Sequence, residues 1–223
     1  MHARVNPDPD TPPLEAGDCL DRAEFHRRYL ASPHIKKAEL IDGVVYVPSP
    51  VKRKHSKPTN LINTWLGTYW AATPGVEALD DTTLVLEGEN EVQPDALLRR
   101  LDGPCQETPD GYLGGPPELV AEVANSSTAY DLNQKRAVYE RNGVREYVVL
   151  LAREGTVRWY DLVAGQFVER DPPEDGIYRS HQFPGLWLDV EALVTGDRRL
   201  FDALRAGLDT QAHADFVAAL GAD

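Results

Sequence analysis

The amino-acid sequence predicts a mixed α/β fold of the α+β kind: a central mixed β-sheet flanked by helices, with extra helices at the C-terminal end. Three observations carry this expectation. The elements run helix, antiparallel strands, helix and then strand, an order that belongs to this class. The apolar run Leu119 to Ala124 is followed by a helical segment and a second strand-like run, Glu146 to Ala152. That crossover is long enough to lay the two strands parallel. From Asp189 onward the pattern turns helical again.

Each element has a local reason. Residues 1–17 are rich in Pro and Asp and poor in large apolar side chains, which predicts a disordered N-terminal tail. Phe25, Tyr29 and Leu30 share a face of a helix over about Asp21 to Ala31. Two apolar runs, Ala38 to Ile41 and Val44 to Val47, flank Asp42-Gly43, a strong hairpin signal. Ser56 and Pro58 are read as N-cap and first-turn residues of a helix carrying Leu61, Ile62, Trp65, Leu66, Tyr69 and Trp70, ending before Pro74-Gly75. Trp65, Trp70, Trp159 and Trp187 are all assigned to apolar faces.

Strands are expected over Val76 to Asp80, Thr82 to Glu87, Asp95 to Arg99 and Leu119 to Ala124, with Asp102 to Pro117 a Gly/Pro-rich loop. A helix over Tyr130 to Asn142 closes at Gly143. Strands come next over Glu146 to Ala152, Thr156 to Asp161 and Gln166 to Glu169, then a short one at Trp187-Leu188. Asp189 caps a short helix, and amphipathic helices cover Arg198 to Gly207 and Thr210 to Leu220. The expected organisation is the tail at 1–17, a domain at 18–197, and a C-terminal helical extension at 198–223 packing on that domain.

Composition narrows the function classes. The chain has 223 residues, 42% of them hydrophobic, enough for one sizeable core. No stretch approaches the roughly 18 to 20 apolar residues of a membrane span, and the N-terminus has no secretory apolar core, so a cytoplasmic location is expected. Cys19 and Cys105 lack metal-ligand spacing, which argues against a zinc site. The net charge of −13 opposes non-specific nucleic-acid binding. Much of the acid excess, however, lies in the tail and in the loop holding Glu169, Asp171, Glu174 and Asp175. One dense basic run, Lys52 to Lys57, could steer a phosphate backbone or form a solvated loop.

The chemistry resides in two acids and a lysine. Glu122 sits alone in the apolar strand Leu119 to Ala124, and Asp95 follows Pro94 at the head of another. Alternation places Glu122 on one face with Val120 and Ala124, and Leu119, Ala121 and Val123 on the other. A buried ionised carboxylate costs several kcal/mol or more without a compensating cation or donors. Two of them on neighbouring strands point to a shared hard cation, with Mg²⁺ (or Mn²⁺) suited to oxygen ligands. Lys135 on the following helix could orient a water or stabilise charge on phosphoryl oxygens, and Glu39 could bind a metal water or a second cation. The competing reading pairs Glu122 with Lys135 or Arg136, and Lys135 with Asp131 one helical turn earlier, Asp131 also capping the helix. His55, with Lys52 and Lys54, is a candidate phosphate contact, and Tyr139 is assigned chiefly to core packing.

Together the segments ELIDGVVYVPSP from Glu39, His55, QPDALL from Gln93, PPELVAEV from Pro116, Asp131/Lys135/Tyr139, GVREYVVL from Gly143 and FPGLWLD from Phe183 resemble the Uma-type "putative restriction endonuclease" family, a branch of the PD-(D/E)xK phosphodiesterases. The resemblance spans about Glu39 to Asp189. It implies a restriction endonuclease-like core, catalytic residues Glu39, Asp95, Glu122 and Lys135, and a metal held by Asp95, Glu122 and Val123. Where the wider superfamily carries its lysine, two residues after the glutamate, this chain has Ala124, and Lys135 would project its amine instead. Asn125, Val148 and Leu151 are further departures. The expected activity is divalent-metal-dependent cleavage of DNA, with a homodimer able to cut both strands. A non-catalytic binding protein of the same fold, or a hydrolase of another phosphoester, are the alternatives.

Overall fold

The computed structural model describes residues 11–48, 53–124 and 129–221, and side chains from Ser56 onward in the second of these segments. In chain order the elements begin with α1 (Arg22–Leu30), the hairpin strands β1 (Glu39–Ile41) and β2 (Val44–Tyr46), and α2 (Arg53–Ala72). Next come strands β3 (Val76–Leu79), β4 (Leu84–Leu86), β5 (Asn90–Val92), β6 (Ala96–Arg100), β7 (Gln106–Glu107), β8 (Leu113–Gly114) and β9 (Leu119–Ala124). A π-helical turn, Tyr130–Lys135, runs directly into α3 (Arg136–Asn142). The remainder is β10 (Glu146–Leu151), β11 (Thr156–Val163), β12 (Gln166–Glu169), β13 (Ile177–Arg179), β14 (Trp187–Asp189), α4 (Val190–Thr195), α5 (Arg199–Leu208) and α6 (Gln211–Leu220).

The central sheet has the order β12-β11-β10-β9-β6-β3. Its inner pair, β9 and β10, is parallel, and every other neighbour is antiparallel, so the sheet is mixed as expected. Both faces of β9 and β10 are covered, so every residue of the two strands is buried and most are apolar. On one face Leu119, Ala121, Val123, Val148 and Leu150 join side chains of α2, α4 and α5. On the other, Val120, Ala124, Tyr147 and Val149 pack with Val138 and Tyr139 of α3 and with Ile41, Leu84 and Val92 of a second sheet. Glu122 falls between Val120 and Ala124 on this second side, where alternation puts it.

The second sheet has the order β2-β1-β5-β4-β8-β7 and is made of strands two or three residues long. Its hairpin turns through Asp42 and Gly43, both at positive φ (51° and 76°), the conformation Asp-Gly supplies for a two-residue hairpin. Leu14, assigned to the tail by sequence, is buried in a third cluster with Phe25, Leu40 and Val45 under α1. Asp21 caps α1 through the Glu24 N–H, and Asp189 caps α4 through the Ala192 N–H. Gly143 ends α3 at φ 88°.

Some expectations are corrected. Helix α2 starts at Arg53, so Ser56 and Pro58 lie inside it rather than at its head. Lys and Arg are good helix formers, and part of the basic run is helix. Trp70 is 48% exposed, not core. The segment Asp102 to Pro117 contains β7 and β8, while β5 and β13 lie in stretches read as irregular. Among the described residues no helix is long and apolar enough to cross a membrane.

Candidate active site

Asp95 precedes β6, and the register Ala96 to Ala121 sets it against Glu122 across the antiparallel pair. Pro94 before it can donate no ladder hydrogen bond, so Asp95 stands where regular pairing begins. The Val123 N–H donates to Asp95 Oδ2 at 2.9 Å, and the Asp95 N–H donates to Glu122 Oε2 at 3.4 Å. The two acids and Val123 therefore form one connected group at the end of the sheet.

Lys135 enters this group from the π-helical turn. Such turns recur at functional sites, where the extra residue re-aims the side chains beside it. Its Nζ lies 2.7 Å from Glu122 Oε1 and 2.9 Å from Glu39 Oε1, with side-chain exposure of only 3%. Tyr139, one turn later, donates to Glu122 Oε1 at 3.0 Å. Tyr147 of β10 donates to the Asp131 carbonyl at 3.0 Å and ties the π turn to the sheet. Glu39 arrives from the second sheet, held by the Gln93 N–H at 2.8 Å and by the Tyr130 hydroxyl at 3.4 Å. Lys37 stands two residues before Glu39, with its Nζ 3.5 Å from Asp95 Oδ1 and 2.9 Å from Asp81 Oδ1.

Burial pushes the Glu122 carboxyl up to about 8, against the pull of Lys135, and Asp95, Asp131 and Glu39 add to the rise. Burial works to lower the Lys135 amine, but Glu122, then Glu39 and Asp131, hold it well above its ordinary value. Burial and Lys135 likewise press on Lys37, and Glu39, Asp95 and Glu122 reverse the sign, so its proton is held more tightly than usual. Burial raises the Tyr139 hydroxyl.

Glu39, Asp95, Glu122 and Lys135 are thus brought together, and the Glu122–Lys135 ion pair of the competing reading is present in the same group. Asp131 is buried and acts on Lys135 electrostatically, but the π turn has no side-chain cap, which corrects the capping reading. Lys52 and Asn125 lie outside the described residues, as do the side chains of Lys54 and His55. Sequence reasoning missed Lys37, Tyr130 and the Gln93 backbone, and gave Tyr139 mainly to the core. The spacing of Lys37 two residues before Glu39, and of Tyr139 one turn after Lys135, were the usable signals.

A second acidic group, Glu146, Asp161 and His181, has ligand atoms within 4.8 Å of one another. The Arg170 guanidinium already fills it, 2.7 Å from Glu146 Oε1 and 2.5 Å from Asp161 Oδ1. Ser180 and the His181 N–H also donate to Glu146. This is a satisfied ion-pair network rather than a metal site.

A family model described as "Uma2: Putative restriction endonuclease" matches residues 22–191. The chain belongs to the Uma2 family. Glu39, Asp95, Glu122 and Lys135 all lie inside the matched region. The crystal structure of a "putative nuclease belonging to DUF820" from Anabaena variabilis ATCC 29413 superposes with a TM-score of 0.54, covering 77% of this chain and 90% of that one at 13% identity. At that identity the likeness concerns the fold, and it supports the restriction endonuclease-like architecture. Among curated proteins, none matches the chain.

Proposed function

We propose that this Uma2 protein is a divalent-metal-dependent endonuclease that hydrolyses phosphodiester bonds of DNA. The observation that carries the reading is the convergence of buried acids on one point, with a carboxyl of raised pKa among them. Among the described residues, the buried acids Glu39, Asp95 and Glu122 meet Lys37 and Lys135, and Lys37 is shared with Asp81. Burial in a low-dielectric place makes Glu122 hold its proton up to about pH 8, and a divalent cation would take the place of that proton. The donors are hard oxygens, which fit magnesium or manganese. Asp95, Glu122 and the carbonyl of Val123 are the residues that would hold the ion. When bound, it would supply Lewis-acid polarisation of the phosphate and a more acidic water.

The remaining roles belong to the chain itself. Glu39 and the Gln93 N–H fix the Lys135 amine where it can donate to phosphoryl oxygens. Tyr139 orients the Glu122 carboxylate through Oε1. The net charge of −13 requires local basic groups to receive DNA, and Lys52, Lys54 and His55 are proposed for this. A homodimer would place two sites on the two strands.

A second reading, a non-catalytic protein of the same fold, is favoured by the sealed Lys135–Glu122 pair, which gives the buried acid a partner without a metal. Nicking of supercoiled plasmid with Mg²⁺ or Mn²⁺ at low salt, with EDTA and Lys135→Met controls, separates the two. The expected result is metal-dependent nicking lost in the variant. The reading is overturned if no DNA is cut and calorimetry detects no Mg²⁺ or Mn²⁺ binding that Asp95→Asn removes.

A further inference from the structure

We propose that Lys37 binds the substrate's phosphate at the mouth of the site, donating to non-bridging oxygens of the phosphodiester. The inference rests on the nuclease reading and assigns the group that first receives the substrate. Lys37 lies two residues before Glu39, which opens β1, and their charged groups converge on one acid cluster. The two lysines of the cluster differ in access. Lys135 is 3% exposed and enclosed by Glu122 and Glu39, whereas the Lys37 side chain is 23% exposed. An incoming polyanion therefore meets Lys37 before Lys135.

The partners of Lys37 fit this task. On the inner side its amine is 3.5 Å from Asp95 Oδ1, which places it beside the proposed metal-binding acids. On the outer side it is 2.9 Å from Asp81, whose side chain is 66% exposed on a turn with φ 44°. Asp81 is the solvent-exposed half of this pair, where an ion pair is weak, so a phosphate can take its place on the Lys37 amine. A lysine amine is a compact point charge well suited to that exchange. In a protein of net charge −13 such a cation at the acid cluster also offsets repulsion between the acids and DNA.

The test compares wild type, Lys37→Gln, Lys37→Arg and Asp81→Asn in plasmid nicking with Mg²⁺ across a salt series, with unfolding midpoints confirming that each variant folds. Loss of one phosphate contact is expected to flatten the log–log salt dependence of kcat/KM by ~0.9 and to raise KM about eightfold at ~0.1 M salt. Lys37→Arg should keep the wild-type slope, and Asp81→Asn should leave KM unchanged or lower it. If wild type cuts and Lys37→Gln has the same KM and slope, Lys37 is not the contact. Asp81→Asn reproducing the loss would make Lys37 a structural tether and overturn the proposal. If wild type does not cut, the nuclease reading is decided separately, by the calorimetric Mg²⁺ titration. Fluorescence anisotropy with a short labelled duplex then decides Lys37: weaker, less salt-sensitive binding by Lys37→Gln upholds it, and equal binding or none overturns it.

Discussion

Replacing Glu122 by glutamine should make the metal-free protein more stable, although it removes a proposed ligand. The Glu122 carboxyl is raised from 4.5 to about 8. Between those values the folded chain keeps a proton that the unfolded chain releases, so stability falls as pH rises through this window. Each pH unit is about 1.4 kcal/mol, and the roughly 2.5 units between 4.5 and pH 7 correspond to ~3 kcal/mol. Glutamine does not titrate and avoids that loss. Its oxygen can still accept from Lys135 and Tyr139, which both use Oε1. Its NH₂ would face the Asp95 N–H in place of Oε2, forfeiting one long hydrogen bond of about 1 kcal/mol.

The net expectation is a gain of about 2 kcal/mol at pH 7, or roughly 4–8 °C in Tm for a chain of this size. The gain should vanish near pH 4.5. Lys135→Met has the opposite sign, because it removes a cation from a cluster already rich in acid, and should cost about 3–5 kcal/mol. Urea unfolding in EDTA from pH 4.5 to 8 measures both. A Glu122→Gln variant less stable than wild type at pH 7, or displaced equally at every pH, would refute the argument. The group would then be a balanced ion pair holding no extra proton for a metal to displace.

Two further outcomes are expected from other parts of the molecule. Arg170→Met should destabilise the fold by about 3 kcal/mol, since Glu146 is fully buried, yet leave calorimetric Mg²⁺ binding unchanged; altered metal binding would show that the Glu146, Asp161 and His181 group is more than structural. His26 is raised above 6.5 mainly by its hydrogen bond to Glu91, so its contribution is complete below pH 6.5 and is lost as pH rises through the raised value. His26→Gln should therefore lower stability by up to about 1 kcal/mol at pH 6 and by little at pH 9, as read by denaturant midpoints; an equal loss at both would exclude titration as the cause.

Much of this molecule is set by neighbours in the chain. Alternation along Leu119 to Ala124 was enough to put Glu122 on the opposite face from Ala121 and Val123, and the two clusters separate along that line. Asp42-Gly43 and Gly143 marked turns that need positive φ, and the crossover from β9 to β10 was long enough to make them parallel. The second sheet was less legible, because strands of two or three residues, such as β5, β7 and β8, are too short to carry a period. Their pairing is decided by partners distant in sequence.

The site divides in the same way. Asp95, Glu122 and Lys135 were visible as charged residues in places where charge is expensive. Sequence alone could not say that Glu39 would cross from the other sheet to share Lys135, that Tyr139 would turn from core packing to Glu122, or that Lys37 would reach Asp95. Periodicity is a property of adjacent residues and can be read from the chain. Compensation of a buried charge depends on which groups stand about 3 Å away, and only tertiary packing decides that.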